Sequence, residues 1–145
     1  MAVDVTTEVE IDRPRAEVAA YAADPDNATT WYANITSVTW RTPPPLAVGS
    51  ELDFVARFLG RELSYTYRVL EHVPEQRFVM GTAEGPFPME TTYEWSATPS
   101  GTRMTLRNQG SASGFGKVAA PAMAAAMRRA NRKDLARLKT VLERR

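Results

Sequence analysis

The segment KVAAPAMAAAMRRANRKDLARLKTVLE, residues 117–143, closes the chain with a helical period. Ala124, Met127, Asn131, Leu135, Leu138 and Leu142 recur at steps of three and four, while Arg128, Arg129, Arg132, Lys133, Arg137 and Lys139 fall mostly on other faces. That spacing predicts one long amphipathic helix from about residue 117, with Pro121 starting it or kinking its first turn. Its apolar stripe changes along its length. The second half offers leucines that pack closely, whereas Ala120, Met123, Ala124 and Met127 in the first half are small or flexible.

Working back from this helix, almost everything reads as strand. Met89, Thr91, Tyr93, Trp95 and Ala97 alternate with Glu90, Thr92, Glu94 and Ser96, the clearest period of two in the chain. Pro99-Ser100-Gly101 turns this strand into the next, which carries Met104, Leu106 and Asn108 on one face. Upstream, strands are expected at about 35–42, 50–59, 62–72 and 76–83, the first closed by Pro43-Pro44-Pro45 because proline cannot donate to a ladder. At the start, Val3, Val5, Thr7, Val9 and Ile11 alternate with polar residues and make the first strand. Pro14 then opens a short helix over about 14–22, and Asp24-Pro25 opens a shorter one ending near Thr30. A Gly-containing linker, 111–116, joins the last strand to the long helix.

Consecutive strands joined by short turns make an antiparallel meander. Its apolar face needs a cover, and the long helix is the element of sufficient length. A twisted sheet of about seven strands curls and does not meet a straight helix tightly along its whole length. A cavity is therefore expected near the first half of the helix, walled by Phe54, Phe58, Tyr65, Tyr67, Met80, Met89, Tyr93 and Trp95 with Met123 and Met127 opposite. Each of these residues taken singly also fits an ordinary core; the cavity reading rests on the group. Thr91, Asn108, Tyr65 and Tyr67 bring polar atoms into phase with the apolar face, and Asn131 interrupts the helix's stripe. Asn108 and Asn131 serve equally well as backbone hydrogen-bonding partners across the helix–sheet seam. Trp31-Tyr32 and Gly85-Pro86-Phe87-Pro88 read as loops, so their aromatics Trp31, Tyr32 and Phe87 are candidates for a gate or for an inert plug.

Composition narrows the chemistry. There is no cysteine, which removes disulfides, thiolate nucleophiles and cysteine-bound metals. The single histidine, His72, lies at a strand end without a carboxylate cluster, so no metal and no cofactor is expected. No phosphate-binding glycine loop and no G-x-S-x-G elbow is present. The N-terminus lacks a basic and apolar signal, and the longest weakly apolar run, 118–127, is about half a membrane span. The expectation is a cytoplasmic chain without a transmembrane segment, folded as one domain over 1–145.

Charge is lopsided. From Lys117 onward nine basic residues face two acids, and the remainder holds nine against fifteen. A basic helix on an acidic body suits an anionic membrane or a nucleic acid. A solvated outer face explains it more simply, and a nucleic-acid partner is not the expectation.

The opening VEIDRPRAEVAAYAADPDNATTWY, the central GPFPMETTYEW and the closing MRRANRKDLARLKTVLE together resemble the SRPBCC or START-like superfamily, the polyketide cyclase/dehydrase and lipid-transport group. Asp12, Pro14, Asp24, Pro25 and Trp31 meet its pattern of a charged strand end, a proline-started helix, an acidic-proline turn and a tryptophan. The resemblance implies the α+β class and a helix-grip fold. In that fold a curved antiparallel sheet of about seven strands, with two short helices after the first, carries the long C-terminal helix over its concave face. It also implies a hydrophobic small-molecule partner, such as a lipid, polyketide or isoprenoid-like compound. The expected ligand-binding set is Trp31, Phe54, Phe58, Tyr65, Tyr67, Met80, Phe87, Met89, Thr91, Tyr93, Trp95, Asn108, Met123 and Met127. Cyclases of this kind hold a reactive chain in one conformation, with a Tyr, Arg or Asn assisting enolisation or dehydration. The residues leave three roles open: carriage, cyclase-like catalysis, and an interaction module built on the basic helix.

Overall fold

The computed structural model describes residues 2–85, 88–111 and 120–145. Strand β1, Ala2–Ile11, is followed by helix α1, Arg15–Ala23, a 3-10 turn over Pro25–Asn27 and one turn of helix α2, Ala28–Trp31. Strands β2 (Ile35–Trp40), β3 (Glu51–Phe58), β4 (Arg61–Val73), β5 (Arg77–Glu84), β6 (Met89–Ala97) and β7 (Thr102–Ser111) come next, and helix α3, Ala120–Glu143, ends the chain. The strands form one antiparallel sheet in the order β1-β7-β6-β5-β4-β3-β2. It is a meander from β2 to β7, onto whose last strand β1 pairs, with Val5 opposite Asn108 and Val9 opposite Met104.

This is the helix-grip arrangement expected from the sequence, with boundaries that differ by local chemistry. Pro14 caps α1 from outside the helix, its carbonyl accepting the Val18 N–H at 3.1 Å. The second short helix begins as a 3-10 turn because Asp24 accepts twice: its side chain takes the Asp26 N–H and its carbonyl the Asn27 N–H, both at 3.0 Å. Strand β2 stops at Trp40, two residues early. The Thr42 hydroxyl turns back to accept the Glu51 N–H at 3.0 Å, ahead of the prolines.

Helix α3 lies against β1 and α2. Its C-terminus is clamped. Arg13 Nη2 donates to the Glu143 carbonyl at 2.6 Å, and the Glu143 carboxylate accepts the Asp12 N–H at 2.8 Å and Lys139 Nζ at 2.7 Å. A cation on the last carbonyls suits a helix C-terminus on both hydrogen-bonding and dipole grounds. The interior divides in two. A large cluster gathers Leu135, Leu138 and Leu142 with Trp31, Phe78, Trp95, Met104 and Leu106. A smaller one, at the other end of the helix, joins Met123 and Met127 to Val3, Val5, Leu63, Tyr65 and Met89.

Candidate functional site

A hollow of about 160 Å³ lies between sheet and helix. From the sheet, β3 contributes Phe54 and Phe58, β4 contributes Tyr65 and Tyr67, and β5 contributes Met80. Strand β6 adds Met89, Thr91 and Tyr93, and β7 adds Asn108. Because these strands are consecutive, residues two apart on each land side by side across the concave face. Tyr67 stands between Phe54, edge-on at 5.4 Å, and Tyr65 at 5.7 Å, so the wall is a continuous aromatic surface. Helix α3 supplies Met127, Ala130, Asn131 and Asp134 opposite. Among the lining residues Asn34, Ile35, Ala56, Phe58 and Ala130 are partly exposed.

The hollow thus sits toward the middle of α3, lined by Met127, Ala130 and Asn131 from its first half and by Asp134 from its second. Met123, only 1% exposed, packs in the cluster with Val3, Val5 and Leu63 and is not among the residues that line the hollow. Two further expected residues also stand in solid core. Trp31 is 0% exposed, so it is neither a loop residue nor a gate; it ends α2 with its ring 4.0 Å from Tyr32 and 5.8 Å from Tyr93. Trp95 lies two residues beyond Tyr93 on the same strand face, where the helix leucines already close the interior. Phe87 lies outside the described residues.

Several lining residues stand outside the expected ligand-binding set. Tyr32 takes the place next to Trp31 that faces the cavity, and Phe78, Leu63 and Ile35 complete the apolar wall. Asp134 is the most consequential omission, a carboxylate only 3% exposed. Its signal was present, since it stands three residues after Asn131 and four before Leu138, a charge on the apolar stripe.

The polar groups form two sets. On the sheet, Thr91 Oγ1 donates to Asn108 Oδ1 at 2.7 Å and faces the Tyr67 hydroxyl, which burial pushes up to about 12. Asn108 therefore bonds a side chain rather than backbone across the seam. On the helix side, Asp134 Oδ1 accepts the Ala33 N–H at 3.0 Å, and the Tyr32 and Tyr93 hydroxyls bond each other at 2.5 Å. Burial raises the Asp134 carboxyl to about 6, against the Ala33 N–H and the charges of Arg137 and Lys133, which pull it down. Desolvation raises both Tyr32 and Tyr93, so both stay protonated near neutrality. Asn131 Nδ2 has no hydrogen-bond partner. Among the described residues no group of three or more His, Asp or Glu side chains could hold a metal ion, and no helix is long and apolar enough to cross a membrane.

A curled sheet gripping one helix over a lined hollow defines the START-like class. The family described as polyketide cyclase / dehydrase and lipid transport matches residues 2–143, and the chain belongs to it. Among solved structures, it is similar to TTHA0849 from Thermus thermophilus, at 20% identity over 94% of each chain with a TM-score of 0.81. The Zhui aromatase/cyclase from Streptomyces sp. R1128 aligns over 100% of this chain and 96% of its own, at 17% identity and a TM-score of 0.81. A START superfamily protein from Mycobacterium smegmatis aligns over 99% and 97%, at 13% identity and the same TM-score of 0.81. A search of curated proteins finds no match.

Proposed function

We propose that this chain binds and carries a hydrophobic small molecule of lipid, polyketide or isoprenoid type in the cavity between sheet and α3. The observation that carries the reading is the hollow itself, about 160 Å³ and walled mostly by apolar side chains, aromatic and methionine residues among them. Apolar hollows of about 150 Å³ stay dry and take up benzene-sized guests, so a guest here gains contacts that water does not supply. Methionines at 80, 89 and 127 let the wall adapt to longer or bent molecules.

Uptake of a neutral lipophilic dye such as Nile red, displaced by unlabelled lipids and polyketides, tests the proposal. Ala130→Trp would fill the hollow from the helix side and should abolish uptake while preserving the circular dichroism spectrum. Failure of the wild-type chain to take up any member of a broad library, or undiminished uptake by Ala130→Trp, would contradict it.

A second reading, cyclase-like catalysis on such a guest, is favoured by one observation. Asp134, raised to about 6 by burial, lies in the same cavity wall as two protonated tyrosines, a combination suited to proton transfer. In that case replacing Tyr67, Asn108 or Asp134 should abolish turnover while affinity persists. Parallel loss of affinity and turnover would favour simple holding.

A further inference from the structure

One end of the cavity differs chemically from its walls. Asn131 and Asp134 stand three residues apart on α3, so their side chains are neighbours on one face. Both line the hollow. Asn131 is 5% exposed, yet its Nδ2 donor meets no partner. Asp134 commits Oδ1 to the Ala33 N–H, and among the described residues Oδ2 receives no hydrogen bond. The Tyr32 and Tyr93 hydroxyls bond each other, which uses one of their two hydrogens and leaves one O–H to give. Buried polar atoms are ordinarily satisfied by protein, water or ligand. Asn131 Nδ2, Asp134 Oδ2 and the spare hydroxyl hydrogen of the Tyr32–Tyr93 pair all belong to residues that line this one hollow.

We propose that this end is a docking station for a neutral hydroxyl group at the tip of an otherwise apolar guest. The proposal rests on the cavity reading above and names the class of guest. A hydroxyl accepts from Asn131 Nδ2 and donates to the Asp134 carboxylate, satisfying both sides together. A hydrocarbon satisfies neither. A carboxylate tip would meet the Asp134 charge away from bulk water, where repulsion is strong. Lys133 and Arg137, the cations that act on Asp134, have exposed side chains and are not among the lining residues, so they cannot neutralise such a tip from inside.

Naphthalene, 2-naphthol and 2-naphthoate share one ring system and differ at the tip, and their own fluorescence reports binding to the full chain at pH 7.5. The station predicts that 2-naphthol binds at least about tenfold tighter than naphthalene, because it satisfies polar atoms that naphthalene leaves unpaired. The carboxylate should bind weakest. In Asn131→Leu the naphthol advantage should vanish while naphthalene affinity stays within about twofold. Asp134→Asn keeps the acceptor for Ala33 and removes the charge, so naphthoate affinity should rise. Equal binding of naphthalene and 2-naphthol by the wild type, or a naphthol preference that survives Asn131→Leu, overturns the station and leaves the cavity reading standing. If none of the three ligands binds, both fall.

Discussion

Replacing Asp134 by asparagine should stabilise the protein, and the gain should depend on pH. In the folded chain burial holds this carboxyl at about 6, whereas in the unfolded chain it titrates near 3.8. Above about pH 6 the fold therefore carries a charge that its surroundings disfavour, and below 3.8 both states are protonated and the penalty is gone. A group raised in this direction lowers stability progressively as pH climbs between those two values. At about 1.4 kcal/mol per pH unit, the full penalty is about 3 kcal/mol. The amide that replaces the carboxylate would keep an acceptor for the Ala33 N–H, so the variant removes the charge and little else. Paired urea melts of wild type and Asp134→Asn should differ by about 2 to 3 kcal/mol at about pH 8, in favour of the variant. The difference should shrink to about 1 kcal/mol by about pH 4.5. A gap that does not change with pH, or a variant less stable than wild type in mild alkali, would mean that water already solvates the carboxylate. A carboxylate retained at such cost also fits the trade of stability for function that binding sites show.

Changes at three other places probe the frame around the site. Leu138→Ala, in the solid cluster behind the cavity, should cost about 2 to 5 kcal/mol in denaturant melts, and a cost under about 1 would mean that the helix is loosely seated there. Gly101→Ala should lower the melting temperature measurably, because a Cβ there would collide with the Ile11 carbonyl oxygen, where β1 ends and β7 begins; an unchanged melting temperature would mean that the turn yields freely. Exchanging the exposed Arg129, Arg132 and Lys133 for serine should change stability by less than about 0.5 kcal/mol each and leave duplex-DNA affinity weak and insensitive to salt. A steep salt dependence lost in that variant would place an anionic partner on the helix.

The architecture was legible because its elements announce themselves locally. The alternation through Met89–Ala97 and the three-four spacing of Leu135, Leu138 and Leu142 each depend on one element alone. The cavity was legible as a consequence of coverage, and the consecutive strands delivered Phe54, Tyr65, Tyr67, Met80 and Tyr93 to one wall. What periodicity could not resolve was depth along the helix axis. Met123 and Met127 share a face, yet the strand residues Val3 and Val5 close over the first and leave the second beside the hollow. Trp31 and Trp95 likewise share a phase with lining residues, but α3 already fills the space before them. Asp134 escaped, and Tyr32 read only as a gate candidate, because each needs a partner distant in sequence to give it meaning: Tyr93 for the hydroxyl, and Ala33 for the carboxylate.

An apolar guest that enters the space between the sheet and the middle of α3 would touch some methionines and not others. Methionine methyl groups labelled with carbon-13 report on it from within, because Met80, Met89 and Met127 line the hollow whereas Met104 and Met123 are sealed in packed core. Titration with naphthalene should shift the first three resonances in a saturable way and leave the other two nearly still. Uniform shifts across all five, or shifts confined to Met104 and Met123, would contradict the account.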